Sequence, residues 1–495
     1  MHLSKLTAAL VAAGLALPAC AASSDAATLQ KLMERMEKLE ARNAELEKEV
    51  KALKNESAEV AKGLDSPRLS ESEPELTVRL KATEKDVLEM KKSSKVVESL
   101  DGIKATAALA TVVQGTSGLP AVYEPGTTNN LSGTQLNYRA DVTVELPLQP
   151  IGDIDHKLFG GFRMGQGQGL NSAFSALGYY ASAPNALAFR ASGSSPDDSV
   201  VILGQAYYQA AIPLPFGGFK PYSRETLDIT FGKMDIFSFF DQNAGAGDET
   251  RQFLNSVFVH NPLLDAGREV GVDANGFQPG FIVGYTNRFD KTQPWRLSLG
   301  VFGTGPRGSN YEASLTQPLL FAQAETQFKL FGGLTGNYRL YAWNRSAGED
   351  FDYLQTQQTT QHTGIGVSVD QRVGDGITVF GRYGNLVKGE LPFNQAVAVG
   401  AQFSGSYWDR GADAFGIGFS WLQTGSGYKN ATYDWNGNAL TFAPTGAETI
   451  TELYYRYRLS PQFELSPDLQ WLTQGGGNPE AKSVYVFGLR ANIVY

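Results

Sequence analysis

Beyond residue 101 apolar and polar positions alternate along the chain with a period of two, the repeat of a β-strand with one apolar face. In 135–147, Leu136, Tyr138, Ala140, Val142, Val144 and Leu146 share one face; Asn137, Arg139, Asp141, Thr143 and Glu145 share the other. In 448–458 and just beyond, Leu453, Tyr455, Tyr457 and Leu459 oppose Glu452, Tyr454, Arg456 and Arg458. The pattern predicts sixteen strands: 103–114, 135–147, 156–166, 200–212, 226–233, 278–287, 294–304, 319–329, 333–344, 362–371, 376–385, 394–404, 413–423, 448–458, 461–473 and 483–495. Connections after even-numbered strands are mostly short, such as Phe331-Gly332 and Ser460-Pro461. Those after odd-numbered strands are mostly long: 115–134, 167–199, 234–277, 305–318, 345–361 and 424–447. Short turns at one end and long loops at the other are the pattern of a transmembrane β-barrel.

One apolar face and one charged face would also suit a soluble sandwich. Aromatic residues near strand ends favour lipid: Trp295, Phe415, Trp421, Tyr457, Trp471 and Tyr495 fit interfacial girdles. The last strand places Tyr485, Phe487, Leu489, Ala491, Ile493 and Tyr495 on one face and ends on an aromatic. That arrangement looks like the signature read by outer-membrane assembly machinery. The expected fold is therefore an all-β barrel of about sixteen antiparallel strands over 101–495, in a bacterial outer membrane.

The first hundred residues have a different rhythm. Lys5, the apolar stretch Leu6 to Leu17 and the small residues Ala19-Cys20-Ala21 read as a secretory signal over residues 1–22. Residues 27–62 carry a heptad. Leu29, Met36, Asn43, Val50 and Ser57 occupy one seam position; Leu32, Leu39, Leu46, Leu53 and Val60 occupy the other. The positions between are rich in Glu and Lys, so a solvated, oligomeric coiled coil on the periplasmic side is expected. Asn43 in the seam costs stability and fixes register. Two or three chains both satisfy the pattern, and three is preferred, giving a homotrimer. Residues 63–100 read as a linker with a second, weaker helical segment.

Composition narrows the function. The chain holds 54 Gly, 28 Phe and 21 Tyr, and mean hydropathy is −0.22, which argues against a helical transporter but not a barrel whose lumen is polar. The net charge of −9 argues against a nucleic-acid partner. Cys20 is the only cysteine, so no disulfide framework is possible. Leu17-Pro18-Ala19-Cys20 resembles a lipoprotein cleavage box; the alternative is that Cys20 leaves with the signal. The four histidines, His2, His156, His260 and His362, fall into no nucleophile or metal spacing. No enzyme, cofactor or metal is expected.

A resemblance sharpens the reading. Phe231-Gly232-Lys233-Met234-Asp235 leads into Phe240-Asp241-Gln242-Asn243-Ala244, then Asp248-Glu249-Thr250-Arg251-Gln252-Phe253-Leu254-Asn255 and Asn261-Pro262. These residues resemble the carbohydrate-selective porin family, the OprB-like porins. The resemblance implies sixteen strands, an inward-folded loop that narrows the pore, and passive diffusion of small hydrophilic solutes, sugars foremost. The long 234–277 connection stands where that loop is expected. Asp241, Asn243, Asp248, Glu249 and Arg251 within it offer the mixed donors and acceptors that sugar hydroxyls require. Arg139, Arg163, Arg339, Tyr341, Trp343, Arg382, Arg456 and Arg458 are lumen-facing by alternation. A second reading is structural: the barrel has only general, non-selective pore activity and anchors a coiled coil, with Leu32, Leu39, Asn43, Leu46 and Leu53 in its seam, that tethers the membrane to peptidoglycan or another periplasmic partner.

Overall fold

The computed structural model describes Lys48 and residues 102–117, 133–176, 178–179, 181–189, 198–215, 220, 223–265, 276–303, 316–435 and 437–495. The signal segment 1–22, the heptad 27–62 with its seam, and the segment 63–100 lie outside the described residues, Lys48 excepted.

Sixteen strands run through the described residues. They are β1 (Lys104–Ser117), β2 (Thr134–Pro147), β3 (Asp155–Gln166), β4 (Val200–Leu214), β5 (Glu225–Asp235), β6 (Phe277–Asn287), β7 (Trp295–Gly303) and β8 (Pro318–Leu330), followed by β9 (Leu334–Glu349), β10 (Thr359–Gly374), β11 (Ile377–Lys388), β12 (Phe393–Ser404), β13 (Ala414–Thr424), β14 (Ala447–Arg458), β15 (Phe463–Thr473) and β16 (Val484–Val494). Each pairs antiparallel with its sequence neighbours, and β1 closes on β16 with Ala108 opposite Val494 and Ser117 opposite Tyr485. Closure leaves no strand edge unpaired, the condition for a sheet in hydrocarbon. Every predicted strand is present. β9 and β10 outrun their predicted ends because they stay paired out to Thr359 opposite Glu349, where they are joined by helix α4 (Tyr353–Thr356).

Burial decides which face is inside. On β2, Leu136 is 61% exposed while Asn137 and Arg139 are 1% and 4% exposed. On β7, Leu299 is 64% exposed and its neighbour Ser298 4%. The apolar stripe therefore faces outward around the barrel and the polar stripe inward, the reverse of a soluble sandwich. Aromatics mark both rims of the outer band. Tyr285 and Trp295 meet at the short-turn end (centroids 5.3 Å apart), and Trp471 stacks on Tyr485 near the long-loop end (6.1 Å, 7° between planes). The expected closed barrel of sixteen antiparallel strands is the observed one.

The main apolar core lies inside the lumen. It forms where the connection after β5 folds back against the inner wall. Phe253 packs edge-on to Phe380 of β11 and Tyr454 of β14, and Phe240 packs on Phe302 of β7 and Phe321 of β8. Two β10 glycines make room for wall aromatics. A Cβ on Gly364 would stand 2.1 Å from the Trp343 ring, and one on Gly366 would stand 2.2 Å from the Tyr341 ring, each directly across the β9–β10 ladder.

Candidate functional site: a pore narrowed by two inward segments

Asp235 ends β5 and turns the chain into the barrel. Its Oδ1 accepts the Phe237 N–H (2.9 Å), capping a short turn over Ile236–Ser238. The chain then crosses the lumen, and polar wall residues take up its backbone. Gln323 of β8 accepts the Asp241 N–H (2.9 Å). Asp370 of β10 accepts the Ala244 N–H (3.2 Å). Glu452 of β14 accepts the N–H groups of Leu254 (2.5 Å) and Asn255 (2.9 Å). Asn255 caps α2 (Ser256–Val259), and Asn261 Oδ1 accepts the Leu263 N–H (3.1 Å) at the start of α3 (Pro262–Asp265). Buried polar wall residues thus supply the partners that a loop away from bulk water needs.

The connection after β3 also folds inward, which its length alone did not reveal. α1 (Asn171–Ala176) and residues 178–179 and 181–189 bring Leu170, Phe174, Tyr179 and Leu187 into the interior. Gln114 of β1 and Gln470 of β15 both donate to the Pro184 carbonyl (2.8 and 2.9 Å). The two segments interlock: Ala186 N–H donates to the Leu254 carbonyl (2.7 Å), and Ser256 N–H donates to the Ala183 carbonyl (3.0 Å).

Beside these segments stays a cavity of about 760 Å³. Of the residues singled out in the sequence, it gathers Arg139, Arg163, Asp241, Asn243, Glu249, Arg339 and Arg382. Arg139 donates to Glu249 (2.8 Å) and Asp141 (2.8 Å), and Arg163 donates to Asp141 (2.7 Å). Burial would raise the Glu249 carboxyl, but Arg139 and Arg163 outweigh it and hold it at about 2. Arg339 is paired with Asp370 (3.0 Å), with Glu325 beside it (3.5 Å). Charge therefore comes in matched pairs along the wall.

The others sit elsewhere. Tyr341 and Trp343 are buried, and the Tyr341 hydroxyl donates to Asp241 Oδ1 of the inward loop (2.9 Å). Asp248 Oδ1 accepts the Thr250 N–H (2.9 Å), a turn contact within the loop. Arg251 is bound to Glu464, and Arg456 and Arg458 stand 3.9 and 3.8 Å from the same carboxylate. Asp241 and Arg382 touch the cavity but spend their bonds on each other and on the loop backbone.

The cavity also contains groups that the sequence did not mark out as site residues. Phe237 stacks on His260 at 3.7 Å with 6° between the rings, Phe277 lies 4.9 Å from the Arg163 guanidinium, and Asp235 and Gln242 complete this wall. Phe237 falls in the gap between Asp235 and Phe240 of the motif and Phe277 lies beyond its end, and the length of the 234–277 connection was the one available signal for them.

Comparison with known proteins agrees with the architecture. Over residues 191–495 the chain matches the family described as "Carbohydrate-selective porin, OprB family". Its fold is similar to that of Pseudomonas putida OprB at high pH, with a TM-score of 0.61 and 18% identity over 81% of this chain and 96% of that one. Porin AaxA of Chlamydia pneumoniae is 27% identical over 137 residues, 28% of this chain and 29% of that protein, so the match spans under a third of that relative. Fold and family are those of an outer-membrane channel, and the chain belongs to the carbohydrate-selective porin, OprB family.

Proposed function

We propose that the barrel is a passive pore for neutral sugars. One observation carries the reading: the 760 Å³ cavity sets the Phe237–His260 stack and Phe277 beside guanidinium–carboxylate pairs. A sugar ring has an apolar face and a rim of hydroxyls that both donate and accept. Aromatic faces take the first, and Arg139, Arg163, Asp141 and Glu249 take the second. Because the charges are matched, a neutral solute pays no repulsion, and a run of unpaired cations that would favour anions is missing from this wall. The family description supports the same substrate class.

Swelling of proteoliposomes in isosmotic sugar tests the proposal. Neutral mono- and disaccharides should enter faster than a hexuronate of similar size. Equal rates for the uronate, or no swelling in any sugar, would end the sugar reading.

We also infer that residues 27–62 form a periplasmic coiled coil that makes the protein a homotrimer and reaches toward the cell wall. The unbroken seam Leu32, Leu39, Leu46 and Leu53, with Asn43 setting register, supports this. Deleting 27–98 should abolish envelope attachment and reduce cross-linked trimer; unchanged attachment and cross-linking would remove the coil from both roles.

A further inference from the structure

From Asp241 to Gly245 the inward loop is buried at every second residue: Asp241, Asn243 and Gly245 are buried, Gln242 and Ala244 exposed. The odd positions are anchors. Asn243 Nδ2 donates to Ser368 Oγ (3.1 Å) and to the Val369 carbonyl (3.0 Å), and a Cβ on Gly245 would stand only 3.1 Å from the Phe380 side chain. Asp241 takes a left-handed φ of +51°, a conformation costly for a residue with a Cβ. It is retained because Tyr341, Arg382 and the Asn261 N–H all donate to its carboxylate (2.9, 3.2 and 2.7 Å). With both flanking residues pinned to the wall, the Gln242 side chain is left on the water side.

What Gln242 faces is specific. A second cavity of about 320 Å³ lies toward the short-turn end, lined by Thr286, Arg288, Arg296 and Gln327. Gln242 and Arg339 line both this cavity and the larger one. Arg339 is fixed by Asp370 and Glu325, whereas the Gln242 amide makes a single bond to the Ser238 carbonyl (2.5 Å).

We propose that Gln242, with Arg339, is the throat between two chambers in series and sets the size of solute that crosses. The throat rests on the geometry alone; its action on sugars rests on the sugar-pore reading above.

The test is single-channel recording of the full-length protein in planar bilayers, first in KCl alone and then with maltose. Gln242→Ala should raise KCl conductance by roughly 1.5-fold or more, and Gln242→Trp should lower it by a similar factor. Gln242→Cys should lose conductance when a bulky water-soluble thiol reagent is added, which reads the side chain's exposure without relying on a packing change. Heat-modifiable gel mobility confirms folding of each variant. KCl conductance unmoved in the Ala and Trp variants, with the Cys variant insensitive to reagent, would overturn the proposal. If conductance responds as expected but maltose never blocks the unsubstituted pore, the throat stands and the sugar reading falls.

Discussion

The Arg382 guanidinium meets the Asp241 carboxylate at 3.2 Å with both side chains excluded from water, and it also donates to the carbonyls of Asp241, Ala246 and Phe258. One β11 side chain thus ties three points of the inward loop to the wall. Removing one partner of such a pair leaves the other charge buried and unanswered, a loss of about 3–5 kcal/mol. Arg382→Ala should therefore release the loop while the barrel persists. Limited proteolysis should find a new cleavage between 240 and 262, and mean conductance should rise. Protease resistance equal to that of the unsubstituted protein would show that the loop is held by other means.

Glu452 holds the loop's far end by accepting two backbone N–H groups. Glu452→Ala strands both, at about 1–3 kcal/mol for each buried group left unpaired. The thermal unfolding midpoint in detergent should fall, and hydrogen exchange at Leu254 and Asn255 should rise far more than at Asn243. Uniform change across the loop would contradict two separate anchors.

Gly366 lies across the ladder from Tyr341, which in turn holds Asp241. Gly366→Ala brings a Cβ within 2.2 Å of the ring. The ring must move, at about 1–3 kcal/mol for an overpacked site. The expected result is a lowered unfolding midpoint together with loop release, both smaller than for Arg382→Ala. A neutral Gly366→Ala would mean that Tyr341 does not need its place.

Glu249 gives the pore an acid dependence of definite sign. Its carboxyl sits at about 2 against an ordinary 4.5. A depressed carboxyl contributes stability that is complete above about 4.5, shrinks below that and vanishes as pH falls through about 2. The Arg139–Glu249 contact should hence persist at pH 3, while the unfolding midpoint drops between pH 4.5 and 2. Glu249→Gln should flatten that drop. Parallel profiles for the two proteins would refute the assignment.

The Phe237–His260 stack should be the greasy surface for a sugar ring. Phe237→Ala should weaken maltose block about two- to twelvefold, the equivalent of an aromatic contact of about 0.5–1.5 kcal/mol, with KCl conductance little changed. Unaltered block would place the sugar elsewhere in the passage.

Strand number was legible because period-two alternation is enforced at every step of a barrel wall; which stripe meets lipid came instead from the aromatic strand ends and the last strand. Leu136 and Asn137 already displayed the alternation. The interior was less legible. Asp241 and Asn243 are polar and sit on the expected loop, yet both serve chiefly to anchor it, because a polar wall satisfies polar anchors. Residue type thus does not separate anchor from lining; Gln242 is as polar as its neighbours and differs only in the face it presents. The inward fold of 171–176, 178–179 and 181–189 left no periodic trace, since Phe174 reaches the interior from a helix of six residues and Tyr179 and Asn185 reach it from irregular backbone.

The most direct test of a water-filled, sugar-accepting passage beside the inward loop is the conductance of the purified protein in a planar bilayer as maltose is added. Discrete ion-conducting steps, reduced in a saturable way by maltose and restored on its removal, are predicted. A protein that inserts but conducts no ions, or whose steps fall only as far as bulk viscosity dictates, would contradict the account.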